Sequence, residues 1–246
     1  MLHCRQILEE IRSVLLEQGK QDPAHAFHVT SNLNWHRYER QIESALRLLP
    51  SSGKVLDIGC GWGHTTAMLS ASCPDLKVSG IDIVEVESWA KLKEYGAQFE
   101  VCNALALPFA NEFDAVISFG CMEHTGNDEK FLNEIKRTLK TGGRLVIFNL
   151  PNKNALSEWL AKILGIWHHK RSYTLAEVKD LFKSGGFDIT MVRREFIIPA
   201  QVDRVSRKIG DLFGKHYRLL DRLDFWLMKT PLAFFAENWA IYAQKS

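Results

Sequence analysis

The sequence predicts an α/β fold, a doubly wound sheet of mostly parallel strands with helices on both faces. Short apolar runs alternate with helical segments from residue 54 onward, which is the pattern of a parallel sheet. The first run, Val55–Ile58, passes into Gly59, Gly61 and Gly63, as expected where a buried strand turns tightly into a helix. About twenty residues later a second apolar run ends on an acid, Asp82, which is the arrangement of a nucleotide-binding βαβ unit.

Each element of this sheet follows from local pattern. The predicted strands are Val55–Ile58, Lys77–Ile81, Gln98–Cys102, Phe113–Ser118, Arg144–Asn149, Phe187–Arg193 and Phe234–Gln244. The predicted helices are Leu2–Gln18, Asn34–Leu49, a segment from about His64, Val86–Tyr95, Asp128–Leu139 and Thr174–Lys183. Phe113–Ser118 is almost continuously apolar and is therefore expected at the centre of the sheet. Gly142 is predicted to cap the helix that precedes the fifth strand.

A different pattern occupies the region between Pro199 and Pro231. Apolar residues at helical spacing, from Val202 and Val205 to Leu223, are interleaved there with arginines and lysines. One interpretation is an inserted helical pair that packs on the core and exposes a basic face. The other is a lid that receives an apolar substrate or rests on an anionic membrane.

Composition limits the class of protein. The chain has 246 residues, of which 46% are hydrophobic and 24% charged, as expected for a soluble domain with a sizeable core. The net charge of +2 does not indicate a nucleic-acid partner. No signal peptide or run of membrane-spanning length is apparent, so we expect a cytoplasmic protein. The five cysteines are scattered without a Cys-x-x-Cys pair, and neither disulfides nor a metal site is predicted.

Two classes of enzyme place a glycine turn before such an acid: dinucleotide-dependent dehydrogenases and enzymes that bind S-adenosylmethionine. The glycines here run G-x-G-x-G, with His64 where the dinucleotide pattern has its third glycine. Asp57, two residues before the turn, suits a cationic amine and would repel a pyrophosphate. The chain also lacks a Tyr-x-x-x-Lys pair, so the second class is favoured.

Five motifs in order resemble the class I S-adenosylmethionine-dependent methyltransferases, in the small-molecule branch that includes type 11 and ubiquinone-biosynthesis enzymes. The motifs are Val55–Gly63, Gly80–Asp82, Cys102–Ala104 with Leu107–Phe109, Phe113–His124 and Lys140–Leu145. The resemblance implies a Rossmann-like sheet of seven strands with the last one antiparallel. It also implies one domain over 1–246, comprising an N-terminal helical cap (1–50), a cofactor-binding core (51–150) and a substrate-side half (151–246) with a helical insertion at about 200–230.

The resemblance assigns cofactor contacts position by position. The methionine portion would lie on Gly59 and Gly61, the ribose on Asp82, and the adenine beside Ile83. Asn103 replaces the aspartate of many relatives, and its amide can still accept a hydrogen bond from the adenine amino group. The implied cofactor-binding set is Arg40, Asp57, Gly59, Cys60, Gly61, Asp82, Ile83, Asn103, Ala104, Phe119, Gly120 and Cys121.

Methyl transfer from a sulfonium needs a positioned nucleophile in a dry pocket, and a base helps only if the acceptor carries a proton. His124 and His169 are the candidate bases, the second within the basic segment His168–Tyr173. Ser118–Cys121 differs from the Asn/Asp-Pro-Pro-Tyr segment of nucleic-acid amino and glutamine methyltransferases. We therefore expect a small-molecule or lipid-like acceptor, methylated on oxygen or carbon. A nucleotide-dependent oxidoreductase and a non-catalytic scaffold are the alternatives.

Overall fold

The computed structural model describes residues 2–23, 26–163, 165, 169–199 and 206–246. Its seven strands form one sheet in the order β3-β2-β1-β4-β5-β7-β6. β7 is antiparallel to both of its neighbours, and the other pairings are parallel. The predicted fold class is confirmed. The strands are β1 (Gly53–Ile58), β2 (Leu76–Asp82), β3 (Gln98–Val101), β4 (Phe113–Phe119), β5 (Leu139–Pro151), β6 (Phe187–Glu195) and β7 (Asn238–Lys245).

The helices fall close to their predicted places. They are α1 (Leu2–Gln21), α2 (Phe27–Thr30), α3 (Asn32–Leu46), α4 (His64–Ser72), α5 (Ser88–Leu92), α6 (Asp128–Thr138), α7 (Leu156–Ile163), α8 (Leu175–Ser184), α9 (Arg207–Lys215) and α10 (Tyr217–Leu227). Two short helices, α2 and α7, were not predicted from the sequence. Among the residues described, no helix is both long and apolar enough to cross a membrane.

The predicted role of Gly142 as a helix cap is wrong. α6 ends at Thr138, because Leu139 already has extended dihedral angles. The final carbonyls of α6 accept hydrogen bonds from a loop and not from a glycine cap. The amide of Asn111 donates to Arg137 O and the amide of Glu112 donates to Thr138 O, each at 2.9 Å. Gly142 instead lies inside β5 with a φ of +70°, where its carbonyl accepts a hydrogen bond from Gln244 Nε2.

The C-terminal region contains a second boundary error. The last strand begins at Asn238 and not at Phe234, because Pro231–Phe235 forms a 3₁₀ turn with a proline in its first turn. Of the predicted insertion, 200–205 lie outside the described residues, and with them Val202 and Val205. The described part forms α9 and α10, which contact α3.

Two apolar layers enclose the sheet. One face packs against α1, α3 and α4 and contains Trp35, Met68 and Phe148. The other packs against α6 and α8 and contains Phe131 and Phe182. β1 lies between β2 and β4, where the strand order changes direction, so the crevice beyond the carboxyl ends of these strands is the expected ligand site.

Candidate active site

The glycine turn follows β1 directly and is fixed from two sides. The amides of Gly59 and Cys60 donate to Ile81 O on β2, at 2.8 and 3.0 Å. From α5, Trp89 Nε1 donates to Gly61 O at 2.9 Å. A β-carbon at Gly59 would lie 2.4 Å from Cys121 Sγ, whereas one at Gly61 would meet no described atom within 4 Å. The turn is therefore packed at its first glycine and open at its second.

Asp82 lies at the end of β2 and closes the turn. Its Oδ2 accepts the Gly61 amide at 2.8 Å, and its Oδ1 accepts the Ile83 amide at 2.7 Å. Beside it, Ile83, Val84 and Val101 are apolar yet more than half exposed. An acid with a rim of exposed aliphatic side chains suits a ribose with its attached base.

Asn103 and Ala104 follow β3, on the same side of the crevice. The Asn103 Oδ1 accepts the amide of Leu105 at 2.8 Å, which fixes the side chain in a turn. A carbonyl oxygen has two lone pairs, so this bond leaves one for a second donor.

Asp57 is fully buried at the end of β1. Both Thr65 and Thr66 donate their hydroxyls to its Oδ2 at 2.7 Å. Its Oδ1 has no hydrogen-bond partner among the described residues. Burial raises the pKa of Asp57 to about 6, although the hydrogen bonds from the two threonines act to lower the pKa. A cationic group near this oxygen would be strongly favoured, because an unpaired buried carboxylate is costly.

The last residue of β4 and the segment after it form the opposite wall. Phe119 stacks on Phe148, with ring centroids 5.0 Å apart, and meets the edge of Tyr38. The Gly120 amide donates to Phe148 O at 3.0 Å. Burial raises the pKa of the Cys121 thiol to about 12, so it stays protonated and acts as a packing group against Gly59.

The structure brings together the two candidate histidines, which are 45 positions apart in the chain. His124 ends the 3₁₀ turn Met122–His124, and its ring centroid lies 6.2 Å from that of His169. His169 Nδ1 lies 2.6 Å from Glu158 Oε1 on α7. Burial lowers the pKa of His124, and the charge of the neighbouring His169 lowers this pKa to a smaller extent. His168 lies outside the described residues.

Arg40 is not brought to the glycine turn by the contacts described. Its guanidinium binds Asp221 of α10, and it lines a cavity with Arg193 and Glu195 at the carboxyl end of β6. Tyr38, from the same helix, does reach the crevice wall: its ring lies 4.5 Å from that of His64 and 6.3 Å from that of Phe119. Arg40 was predicted because an arginine suits the carboxylate of the donor. The structure instead directs Tyr38 of α3 toward the crevice and Arg40 toward α10.

Several residues that hold the site were not identified from the sequence. Thr65 and Thr66 orient Asp57, Ser118 Oγ donates to Ile58 O at 2.8 Å, and Glu158 contacts His169. The two threonines lie in the first turn of α4, just after the glycine turn, and their contact with Asp57 could have been predicted. The first turn of a helix in this position faces the end of the preceding strand. The contact between Glu158 and His169 could not be predicted from the sequence, because it depends on how α7 packs.

Comparisons with known proteins agree with this geometry. Residues 56–147 match the family described as a methyltransferase domain. An O-methyltransferase of Pyrenophora dematioidea is 33% identical over 196 residues, covering 72% of each chain. The chain belongs to the class I S-adenosylmethionine-dependent methyltransferases. Its donor is accordingly S-adenosylmethionine, and neither the oxidoreductase nor the scaffold alternative is retained.

Other methyltransferases show the same relationship at greater distance. Tocopherol O-methyltransferase of Arabidopsis thaliana is 28% identical over 177 residues, which are 63% of this chain, and the chain spans about half of that enzyme, 51%. A Haemonchus contortus phosphoethanolamine N-methyltransferase solved with S-adenosyl-L-methionine is 23% identical. It superposes with a TM-score of 0.58 over 84% of this chain and 52% of that one, which shows the shared fold.

The residues of this methyltransferase fit the donor chemically. Gly61 leaves open space beside the turn, Asp57 Oδ1 is a buried acceptor that suits an ammonium group, and Asp82 faces the exposed rim at Ile83. When bound, the donor supplies an electrophilic methyl group on a sulfonium. The chain's own residues orient it and exclude water from the reacting atoms.

Proposed function

We propose that the chain methylates a hydroxyl oxygen, or an activated carbon next to one, on an apolar small molecule or lipid-like acceptor. The observation that carries this proposal is the pairing of His124 and His169 beyond the end of β4. Two imidazoles at one place contact an acceptor oxygen and accept or relay its proton, which a carbon or nitrogen acceptor without an acidic proton would not need.

The path from donor to acceptor is short and continuous. Gly59 touches Cys121, and a β-carbon at Gly120 would lie 3.4 Å from Glu123 Oε1. Glu123 adjoins His124, which faces His169. These contacts support a placement of the acceptor, at the two histidines, next to the donor at the glycine turn, as methyl transfer requires.

The apolar character of the acceptor is supported by α7. This helix holds His169 through Glu158, and it exposes Trp159, Leu160 and Ile163 to solvent. Exposed apolar side chains beside a polar site are typical of a surface that binds an apolar ligand. The tocopherol enzyme among the relatives is named for an acceptor of this kind, a lipid with a hydroxyl group.

A labelling experiment tests the proposal. Labelled S-adenosylmethionine incubated with the protein and fractionated lipid or metabolite extract should yield a labelled ether or C-methyl product in an apolar fraction. Label found only in water-soluble amines would contradict it. Cytoplasmic location and contact of α9 and α10 with an anionic membrane stay predictions, to be checked by cell fractionation and vesicle sedimentation.

The assignment of the cofactor-binding site is tested at Asp82. Replacing it with alanine removes the acceptor of the Gly61 amide and a charge-assisted bond to the ribose, so Asp82→Ala should weaken S-adenosylhomocysteine binding by about 1.5 to 3 kcal/mol. Titration calorimetry measures this directly. Asp75→Ala, at an exposed acid in the loop before β2, is the matched control. Equal affinities of the two variants would contradict the assignment.

A further inference from the structure

Glu123, His124 and His169 form a compact group that we name the His–Glu cluster. One ligand atom from each of the three lies within 4.8 Å of the other two. The imidazole Nε2 of His124 is 3.7 Å from Glu123 Oε1. Two imidazole nitrogens and a carboxylate are the donor set of catalytic zinc sites and of non-haem iron sites that keep open positions for substrate.

The burial of Glu123 is a second, independent observation that favours a cation site. Its side chain is only 3% exposed, whereas that of His124 is 58% exposed. The second carboxylate oxygen, Oε2, is buried and has no hydrogen-bond partner in the described part of the chain. A buried carboxylate needs a proton or a compensating cation, and no lysine or arginine is paired with Glu123 among the described contacts.

His169 is already oriented as a metal ligand would be. Its Nδ1 lies 2.6 Å from the Glu158 carboxylate, and its backbone amide donates to the other oxygen of the same group at 3.0 Å. A carboxylate accepts at Nδ1, so Nε2 becomes the nitrogen that carries the lone pair. This arrangement of carboxylate, histidine and cation fixes the ring and strengthens it as a donor.

The loop that carries His169 is anchored beside His124. Arg171 and the hydroxyl of Tyr173 both donate to Asp128 Oδ2, and Asp128 is the first residue of α6. The helix begins four positions after His124. The two ligating segments are therefore held to one another without the cation, and the site is largely formed in advance.

We propose that the His–Glu cluster binds one divalent transition-metal ion, which positions the acceptor oxygen for methylation. Donor atoms around a tetrahedral ion at about 2.0 to 2.1 Å lie roughly 3.3 Å apart, so the widest pair must close by about 1.5 Å. The exposed His124 ring can supply this movement by rotating about its side-chain bonds. Mn²⁺, Fe²⁺, Co²⁺ and Zn²⁺ suit this donor set better than Mg²⁺ or Ca²⁺, which prefer oxygen.

The role of the ion in catalysis rests on the proposed function. Three protein ligands leave coordination positions for the acceptor, which favours a substrate with a hydroxyl beside a second oxygen. With the ion bound, the two imidazoles act as its ligands and not as the proton acceptor. Binding to the ion lowers the pKa of the hydroxyl, and its proton passes to water. The oxygen then forms the bond to the methyl carbon as the methyl–sulfur bond breaks, and that electron pair stays on sulfur. No oxidant or reductant is required.

Metal binding is measured without any acceptor. Full-length protein is treated with a chelator, desalted and titrated with Mn²⁺, Zn²⁺ or Co²⁺, with calorimetry for affinity and visible absorption for the Co²⁺ ligand field. We expect one ion per chain. Glu123→Gln and His169→Gln should each weaken binding at least tenfold, whereas His36→Gln, at a histidine of α3 that contacts α10, should bind like the wild type.

Three results decide the inference. Affinity that is the same in the wild type and both cluster variants would overturn it, provided that the variants bind S-adenosylhomocysteine and are therefore folded. Glu158→Gln should weaken binding less than His169→Gln, because it affects only the orientation of the ring. Equal S-adenosylhomocysteine affinity with and without chelator is expected, since the donor site does not include the cluster.

Failure of this inference is distinguishable from failure of the proposed function. Labelled product formed at an undiminished rate in the presence of chelator would overturn the catalytic role of the ion and leave the methyltransferase proposal intact. Loss of product on chelation, with recovery on adding Mn²⁺ or Zn²⁺, supports both.

Discussion

Gly59 and Gly61 stand two residues apart in one turn, and the structure gives them different reasons to be glycine. Both have positive φ, +75° and +51°. At Gly59 the space is already occupied, because Cys121 Sγ and Cβ lie 2.4 and 2.5 Å from the position of a β-carbon. At Gly61 that position is open, and it lies in the crevice assigned to the donor.

Alanine at these two positions should therefore separate stability from binding. Gly59→Ala is expected to reduce the free energy of unfolding by about 2 to 4 kcal/mol through backbone strain and overlap with Cys121. Gly61→Ala should cost about 1 kcal/mol in stability and weaken S-adenosylhomocysteine binding at least tenfold. Urea unfolding and calorimetry measure the two effects.

A double variant gives the control. Cys121→Gly removes both atoms that a β-carbon at Gly59 would meet, so combining it with Gly59→Ala should recover part of the lost stability. Strictly additive losses in the double variant would show that overlap with Cys121 is not the cause.

At the scale of elements, the charged contacts between α3 and α10 depend on pH. His36 lies between Glu39 and Asp221, with nitrogen–oxygen distances of 3.3 and 3.4 Å. Hydrogen bonds to Asp221 and then Glu39 raise the pKa of His36 from 6.5 to about 9. A raised pKa means that the folded protein holds the proton more tightly than the unfolded chain. The contribution of His36 to the free energy of unfolding is therefore fully present below about pH 6.5 and disappears as the pH rises through 9.

His36→Gln should remove this dependence. The wild type is expected to exceed the variant in stability by on the order of 2 kcal/mol at pH 6, and by almost nothing at pH 10. Urea unfolding of both proteins across this range gives the difference directly. A constant difference would show that the imidazole stabilises α10 by packing, for example against Tyr217, and not by charge.

The elements that sequence could and could not predict differ in where their ends are decided. β1, β4 and the start of α4 follow from local apolar runs and glycines, and they lie within two residues of their predicted bounds. The predicted end of α6, Leu139, is one residue from the observed end, but the cap assigned to Gly142 was wrong. The last carbonyls of α6 accept amides from the loop at Asn111 and Glu112, which lie far away in the chain. A Lys-Thr-Gly-Gly segment looks like a helix stop when such partners are unknown.

The same distinction applies to the site. Contacts within the turn and its acid were predictable, because Asp57, Gly61 and Asp82 are placed by the βαβ unit itself. The meeting of His124 with His169 was not, since it depends on Arg171 and Tyr173 binding Asp128. Each histidine had been identified from its own motif, and only the fold showed that they form one group.

At the scale of the whole molecule, the donor site couples to global stability, because its walls belong to both apolar layers. Phe119 and Phe148 extend from one core cluster, and Met122 belongs to the other. Unfolding either layer destroys the crevice, so a ligand that binds there stabilises the entire fold. S-adenosylhomocysteine at a hundred times its dissociation constant should add about 2.7 kcal/mol to the free energy of unfolding.

For a chain of this size, that gain corresponds to a rise in the melting temperature of about 5 to 10 °C, measured by calorimetric or fluorescence melting. NADH at the same concentration should give no shift, because the buried carboxylate of Asp57, beside the glycine turn, disfavours a pyrophosphate. Asp82→Ala should lose most of the shift with S-adenosylhomocysteine, and Asp75→Ala should retain it. A stabilising effect of NADH equal to that of S-adenosylhomocysteine would contradict the placement of the donor in this crevice, since the two ligands share adenosine and differ in the charge that lies near Asp57.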